Sequence, residues 1–190
     1  MKRLYLAGPD VFLPDADAVG RAKVDLCAQH GFKGLFPLDQ QIDAAGEDLG
    51  RAIYRGNLEL MKHSDAIIAN LSPFRGPSAD VGTAFELGWF AGRNLPIFAY
   101  SNDEREFAAR TRLLLDLAPD AARDRQGLGI EPFGLADNLM LPGAVGAAGG
   151  VLVCHQSDGL EAMSAFKRCL DEVSAYFTRL EQAKYNRRTA

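Results

Sequence analysis

Short apolar runs alternate with longer amphipathic segments along the chain. The apolar runs are bounded by turn residues and predict buried strands at 3–7, 33–36, 65–69, 96–100 and 151–154. The amphipathic segments predict helices at 15–30, 49–63, 80–93, 103–117 and 158–182. Strands that alternate with helices are typical of a parallel sheet covered on both faces. We therefore expect an α/β fold with a doubly wound, five-stranded parallel sheet in the order 2-1-3-4-5, in a single domain over residues 1–190.

Local signals mark the C-terminal third of the chain. Asp158 with Glu161 three positions later predicts a capping-box variant at the start of the last helix. The stretch 143–150 is rich in Ala and Gly and predicts a loop. Just before it, Leu139-Met140-Leu141 forms a short apolar patch. Such a patch is usually buried, and an oligomer interface is one place for it.

Two glycine-containing loops follow predicted strands. Gly8–Phe12 comes after the first strand, and Ser72–Asp80 comes after the third. In the order 2-1-3-4-5 these loops meet where the strand order reverses, which is where open α/β sheets bind ligands. Gly8 allows close approach of the backbone and Pro9 stiffens the turn. We therefore expect the ligand site at this edge.

Two acidic residues lie at the start of the helix after the third strand. Asp80 and Glu86 are separated by less than two helical turns, which is roughly 9 Å along the axis. Glu86 stands among apolar residues, and no basic residue within four positions could pair with it on the helix. A carboxylate in such surroundings is costly unless it is used. Asp80 could simply cap the helix, and Glu86 could be solvated at the helix edge.

Composition limits the classes of partner and cofactor. The net charge of −4 offers no basic face for a nucleic acid polymer, and no apolar run approaches the roughly 20 residues of a membrane helix. Cys27, Cys154 and Cys169 lack metal-site spacing and predict small buried side chains in a reducing compartment. A strand that begins at residue 3 leaves no room for a signal peptide, so we expect a cytoplasmic protein. Neither loop has the spacing of a dinucleotide or phosphate-binding motif.

The longest motif is Ser-Pro-Phe-Arg-Gly at 72–76, followed by Asp-Val-Gly-Thr-Ala-Phe-Glu-Leu-Gly at 80–88. Together with the segments at 5–12, 37–39, 57–65 and 137–141, it resembles the nucleoside 2-deoxyribosyltransferase family. The resemblance implies a flavodoxin-like fold and exchange of the base on a 2′-deoxynucleoside in nucleoside salvage. It also implies a homo-oligomer that needs neither a metal nor another cofactor.

The resemblance also implies roles for three side chains. Glu86 matches the family's nucleophile, a carboxylate that attacks C1′ and forms a covalent glycosyl ester, as in retaining glycosidases. Asp80 matches the acid that protonates, or hydrogen-bonds, the leaving base. Tyr5 matches a tyrosine whose hydroxyl orients the nucleophile. Tyr5 could instead be an aromatic side chain packed in the core.

Further residues match positions that bind substrate. Asn57 matches a base-contacting position, although it could be a solvated helix residue. Its amide both donates and accepts, which suits loose base selectivity. Asn138 and Met140 match residues that close a neighbouring subunit's site, where Asn138 binds the 5′-hydroxyl or the nucleophile and Met140 packs on the pocket.

The two loops supply the other expected substrate-binding residues, which are Gly8, Asp10, Phe12, Ser72, Arg75 and Gly76. Asp10 could bond a sugar hydroxyl or only stabilise the turn after Pro9. Arg75 could approach a phosphate or pair with an acid. Because Asp10 would repel a phosphate, free nucleosides are favoured as substrates over 5′-monophosphates.

Two alternatives remain open. A hydrolase on the same fold would cleave the N-glycosidic bond of deoxynucleosides or nucleoside 5′-monophosphates, with water as the acceptor. A non-catalytic nucleotide-binding module would need no reactive group, and Glu86 in its apolar segment argues against it.

Overall fold

A computed structural model describes residues 1–40 and 48–189 of the chain. The strands are β1 (Arg3–Ala7), β2 (Lys33–Leu35), β3 (Ala66–Asn70), β4 (Ile97–Ser101) and β5 (Leu152–Cys154). The helices are α1 (Ala16–Gln29), α2 (Leu49–Lys62), α3 (Val81–Ala91), α4 (Phe107–Leu114), α5 (Met140–Ala147) and α6 (Ser164–Thr189).

The strands form one sheet in the order β2-β1-β3-β4-β5, and every neighbouring pair is parallel. This confirms the predicted fold class and strand order. In the register of the sheet, Tyr5 of β1 lies between Leu35 of β2 and Ile67 of β3. The carboxyl ends of β1 and β3 are therefore neighbours, as the ligand-site prediction requires.

Each face of the sheet has its own core. Side chains alternate along β1, so Leu4 and Leu6 lie in one core while Tyr5 and Ala7 lie in the other. The first core contains buried residues of α1 and α6, and the second contains buried residues of α2, α3 and α5. Because α3 and β1 share the second core, a side chain of α3 can reach Tyr5.

The start of the last helix was predicted wrongly. Helix α6 begins at Ser164, so Asp158 and Glu161 lie in the preceding turn and form no capping box. Gly159 has a φ of +81°, a left-handed conformation that the first turn of a helix cannot use. The carbonyl of Gly159 accepts a hydrogen bond from the Asn102 side chain at 2.9 Å. This contact fixes the segment as a loop.

The Ala/Gly-rich stretch was also predicted wrongly. Of the predicted loop at 143–150, residues 143–147 belong to helix α5 and only 148–150 lie outside it. Leu141 and Val145, four positions apart, are buried against the second core. Packing of this face overrides the weak helix propensity of glycine. The predicted helix at 103–117 is present as the shorter α4.

Within residues 1–40 and 48–189, no helix combines the length and the apolar character needed to cross a bilayer.

Candidate active site at the carboxyl edge of the sheet

The two predicted loops meet beyond the carboxyl ends of β1 and β3. Phe12 of the first loop stacks on Phe74 of the second, with ring centroids 5.2 Å apart and an interplanar angle of 13°. The Arg75 guanidinium lies over both rings, 5.3 Å from the centroid of Phe12 and 4.7 Å from that of Phe74. Arg75 thus anchors its loop through the two aromatic rings instead of through an acid.

Glu86 and Tyr5 form the central contact of the site. The Tyr5 hydroxyl donates a hydrogen bond to Oε1 of Glu86 at 2.5 Å. Burial raises the pKa of Glu86 to about 7, the Tyr5 hydrogen bond opposes this shift, and the charge of Asp80 adds to it. Burial, and then the charge of Glu86, hold the pKa of Tyr5 well above its usual value. Tyr5 therefore stays a neutral donor while it also packs in the core.

Asp80 is the N-cap of α3. Its Oδ2 accepts hydrogen bonds from the backbone N–H of Thr83 at 3.0 Å and from the Thr83 hydroxyl at 3.2 Å. Within the described part of the chain, Oδ1 of Asp80 has no hydrogen-bond partner. Capping thus occupies one carboxyl oxygen and leaves the other for a ligand.

A cavity of about 340 Å³ lies between α2 and α3. Helical spacing places one stripe of α2 along one wall, opposite Gly82, Phe85 and Glu86 of α3. The α2 stripe consists of Gly50, Ile53, Tyr54, Asn57 and Met61. A largely apolar pocket with a few polar groups is the usual form of a small-molecule site. Glu86 is thus accessible despite its burial.

Asn57 is the amide side chain of this cavity. Its Oδ1 accepts a hydrogen bond from Nε2 of Gln40 at 2.7 Å. Gln40 was not among the residues expected from the sequence. The contact restricts rotation of the Asn57 amide, whose capacity both to donate and to accept we expected to suit loose base selectivity.

Asp10 points into the interior instead of the site. It is 1% exposed, and its carboxylate lies 2.8 Å from Nζ of the equally buried Lys23. The amide of Asn70 donates to both carboxylate oxygens, at 3.2 and 3.3 Å. Asp10 therefore stabilises its loop from the protein interior. The Lys23 ammonium offsets the charge on which the expected repulsion of a phosphate by Asp10 rests, and that expectation stays a prediction.

Ser72 and Gly8 belong to the same interior network. The hydroxyl of Ser72 donates to Oδ1 of Asn70 at 2.6 Å and accepts from the backbone N–H of Asn102 at 2.9 Å. A Cβ on Gly8 would lie 2.4 Å from Oδ2 of Asp10. Glycine is thus required here for the approach of Asp10, whereas we expected approach of a ligand. Gly76 meets no such restriction, because a Cβ there has no neighbour within 4 Å in the described chain.

Asn138 and Met140 lie at the start of α5. The Asn138 amide donates to Glu131, and its Oδ1 accepts from the backbone N–H of Met140 at 3.2 Å. The Met140 side chain is 69% exposed. In the single chain, neither side chain lines the cavity that contains Glu86.

Sequence reasoning missed Lys23, Arg110 and Asp137. Lys23 could have been noticed, because it interrupts the stripe of α1 formed by Val19 and Cys27 at four-residue spacing. Asp137 directly precedes Asn138 in a matched segment. Arg110 carries no local signal, since it lies outside the segments that resemble the family.

A larger depression, of about 660 Å³, lies at the opposite, amino edge of the sheet. Its lining includes Lys2, Arg3 and Lys33 and contains none of the expected site residues. We assign the site to the carboxyl edge, because the perturbed carboxyl group lies there. In residues 1–40 and 48–189, no group of three or more His, Cys, Asp or Glu side chains is arranged to hold a metal ion.

The family model for nucleoside 2-deoxyribosyltransferases matches residues 4–140, well over half of the chain. The chain belongs to this family. Among solved structures, a 2-desoxiribosyltransferase from Leishmania mexicana is similar with a TM-score of 0.62 and 30% sequence identity, over 90% of this chain and 98% of that one.

Two further proteins are similar over most of their length. The uncharacterized protein C191.05c of Schizosaccharomyces pombe is 28% identical over an alignment that covers 90% of this chain and 88% of the relative. A conserved protein from Enterococcus faecalis V583 has a TM-score of 0.58 at 21% identity, over 93% of this chain and 99% of that chain. The second match shows the fold alone.

Proposed function

We propose that the protein transfers the 2-deoxyribosyl group of a 2′-deoxynucleoside to a free purine or pyrimidine base, through a covalent intermediate on Glu86. The observation that carries the proposal is the state of this carboxyl group. It lies in the wall of a largely apolar cavity and accepts a hydrogen bond from the neutral Tyr5 hydroxyl. Burial raises its pKa to about 7. Family membership and the similarity to the Leishmania mexicana 2-desoxiribosyltransferase support the same activity.

The proposed reaction has two displacements at C1′. Oε1 of Glu86 is held by Tyr5, so Oε2 attacks C1′ as the bond from C1′ to the base nitrogen breaks. The electron pair of that bond goes to the base, and Asp80 donates a proton or a hydrogen bond to it through its free oxygen. In the second step the nitrogen of a different base attacks C1′ as the bond from C1′ to Oε2 breaks and releases the Glu86 carboxylate, and the proton of the incoming nitrogen passes to Asp80.

The walls of the cavity suit a flat heterocycle. Tyr54 and Phe85 both line the cavity, and their rings contact each other in a tilted arrangement, with centroids 6.4 Å apart and an interplanar angle of 52°. Exposed aromatic faces bind planar bases by stacking. Asn57 supplies a polar contact for the edge of the base. In a homo-oligomer, the exposed Met140 and the neighbouring Asn138 would close the site of an adjacent subunit. Because this reaction reuses the deoxyribose of one nucleoside to build another, we place the protein in nucleoside salvage.

Hydrolysis of nucleoside 5′-monophosphates is the second candidate. The Arg75 guanidinium stacks on rings at the edge of the two loops, and in the described chain no acid pairs with it. Since Asp10 is neutralised by Lys23, nothing in the first loop repels a phosphate near Arg75. A purely binding role is disfavoured, because a module without chemistry gains nothing from the buried Glu86.

One experiment separates these functions. Deoxyinosine and deoxyinosine 5′-monophosphate are each incubated with the protein, with and without free adenine, and the products are separated by chromatography. Formation of deoxyadenosine from deoxyinosine and adenine is the expected result. Release of deoxyribose 5-phosphate without base exchange would replace transfer by hydrolysis, and no reaction with either substrate would refute both.

A further inference from the structure

Arg110 and Asp137 form a buried pair beside the loop that carries Asp80. Arg110, on α4, is 4% exposed, and Asp137 is 1% exposed. Their charged groups lie 3.9 Å apart. Charged side chains are almost never fully buried unless their charges and hydrogen-bonding groups are matched. The hydrogen-bond partners of these two residues therefore identify the segments of the chain that the pair holds in place.

The pair contacts three consecutive residues directly before Asp80. Nε of Arg110 donates to the carbonyl of Pro77 at 2.8 Å. Asp137 accepts hydrogen bonds from the Ser78 hydroxyl and, at 2.9 Å, from the backbone N–H of Ala79. Each of the three residues that lead into α3 is thus fixed, and Asp80 follows the last of them.

The same pair holds the segment that carries Asn138. The Arg110 guanidinium donates to the carbonyl of Ala136, and Oδ1 of Asp137 accepts from the backbone N–H of Asn138 at 2.7 Å. Asp80 and Asn138 belong to loops about 60 residues apart in sequence. The Arg110–Asp137 pair joins these loops at positions adjacent to both residues.

We propose that Asp137 and Arg110 are positioning residues that fix the carboxyl group of Asp80 against the leaving base. This inference rests on the proposed function, because it assigns a leaving base to Asp80. A misplacement on the order of 1 Å can cost about a hundredfold in rate. An acid that protonates a departing base depends on such placement, whereas a nucleophile on the next turns of α3 depends on it less.

The test compares two substrates that need different amounts of acid assistance. Deoxyadenosine, with hypoxanthine as acceptor, requires assistance to its leaving base, and 4-nitrophenyl 2-deoxyriboside requires almost none. We expect Asp137→Asn to lower kcat for deoxyadenosine by about 30-fold with KM nearly unchanged, and to lower nitrophenol release less than about threefold. Arg110→Lys and Ser78→Ala, which each remove part of the contacts, should give smaller losses with the same substrate dependence.

A double-variant cycle tests whether the effect passes through Asp80. In an Asp80→Asn background, adding Asp137→Asn should cost less than about twofold, because the acid that it positions is already absent. Asp65→Asn is the control, since Asp65 is a partly buried acid that pairs with Lys2 at the opposite, amino edge of the sheet. This variant should not change the ratio of the kcat values for the two substrates.

The outcomes are distinct. Equal losses on both substrates, or a full additional loss in the Asp80→Asn background, would overturn the positioning role and leave the proposed function intact. If Asp137→Asn does not fold, Arg110→Lys and Ser78→Ala decide by the same ratio. Failure of the wild-type protein to cleave either substrate would instead refute the proposed function, and the positioning role with it.

Discussion

Two carboxyl groups, the buried Asp10 and the partly buried Glu86, lie on opposite faces of the sheet and have different partners. Asp10 meets the Lys23 ammonium at 2.8 Å and the amide of Asn70. Glu86 receives its hydrogen bond from a neutral group, the Tyr5 hydroxyl, at 2.5 Å. Of these two carboxyl groups, only Asp10 has a cation beside it within the described chain.

The difference separates a structural carboxylate from a reactive one. A buried charge with a matched partner stabilises one arrangement of its loop, and its removal leaves the partner uncompensated. A buried carboxyl group without a cation costs stability in its ionised form, which raises its pKa and keeps it available for chemistry. Four predictions test this contrast.

The largest expected effect is on catalysis by Glu86. Glu86→Ala should lower base exchange by at least about 10³-fold, because the covalent step has no substitute nucleophile. Exchange is measured by chromatography, and circular dichroism checks the fold. Glu59→Ala, which removes an exposed glutamate on α2 paired with Lys62, is the control. Exchange above about 1% of wild type in a folded Glu86→Ala protein would rule out Glu86 as the nucleophile.

The next effect is on stability through Lys23. Lys23→Met leaves Asp10 as an unpaired buried anion, and we expect the free energy of unfolding to fall by about 3–5 kcal/mol. Urea unfolding measures this loss. Adding Asp10→Asn removes the unpaired charge and should recover most of the lost stability. A double variant no more stable than Lys23→Met would show that the ion pair is not what stabilises the loop.

In contrast to Lys23→Met, Glu86→Gln should raise the free energy of unfolding at neutral pH. The pKa of Glu86 is about 7 in the folded protein, well above the ordinary value of 4.5 for a glutamate. Below pH 4.5 the carboxyl group is protonated in both folded and unfolded states, so the two proteins should be similarly stable. As the pH rises from 4.5 to about 7, the carboxyl group of Glu86 ionises first in the unfolded state. The wild type therefore loses stability relative to Glu86→Gln. By about pH 8 the difference should reach about 3 kcal/mol by urea unfolding, and equal pH dependence of the two proteins would contradict it.

The smallest effect concerns Tyr5. Its hydrogen bond lowers the pKa of Glu86 against the effect of burial, so Tyr5→Phe should raise that pKa further. The acidic limb of the pH–rate profile should move upward by about one unit, with exchange at pH 7 reduced about fivefold. Tyr176→Phe, on the other face of the sheet, is the control and should leave the profile in place. An unshifted limb in Tyr5→Phe would remove Tyr5 from control of the nucleophile.

The sheet and the position of Glu86 could be predicted because their signals are local. Five apolar runs alternate with amphipathic segments, and strand order follows from this alternation. Glu86 stands out within a few residues of sequence as an unpaired acid among apolar neighbours. Asp80 as a helix cap needed only the loop before α3.

The rest depends on contacts that no local pattern contains. Asp10 could not be distinguished from a ligand-binding residue, because its partner Lys23 lies in a separate helix and meets it only in the folded core. Arg110 and Asp137 join three segments through backbone carbonyls and N–H groups, which are present at every position of a chain. Helix α5 was missed because tertiary packing overrides the low helix propensity of its glycines.

The place of β1 within the sheet has a consequence during synthesis of the chain. It lies between β2 and β3, and the segment that becomes β3 follows about 60 residues later, a delay of about 3–12 s at ordinary rates of translation. Pairing with β2 can cover only one edge of β1 in this interval. The other edge, with Leu4 and Leu6 beside it, stays open to other nascent chains and to chaperones. The strand that carries Tyr5 is thus also the one that waits longest for its neighbours.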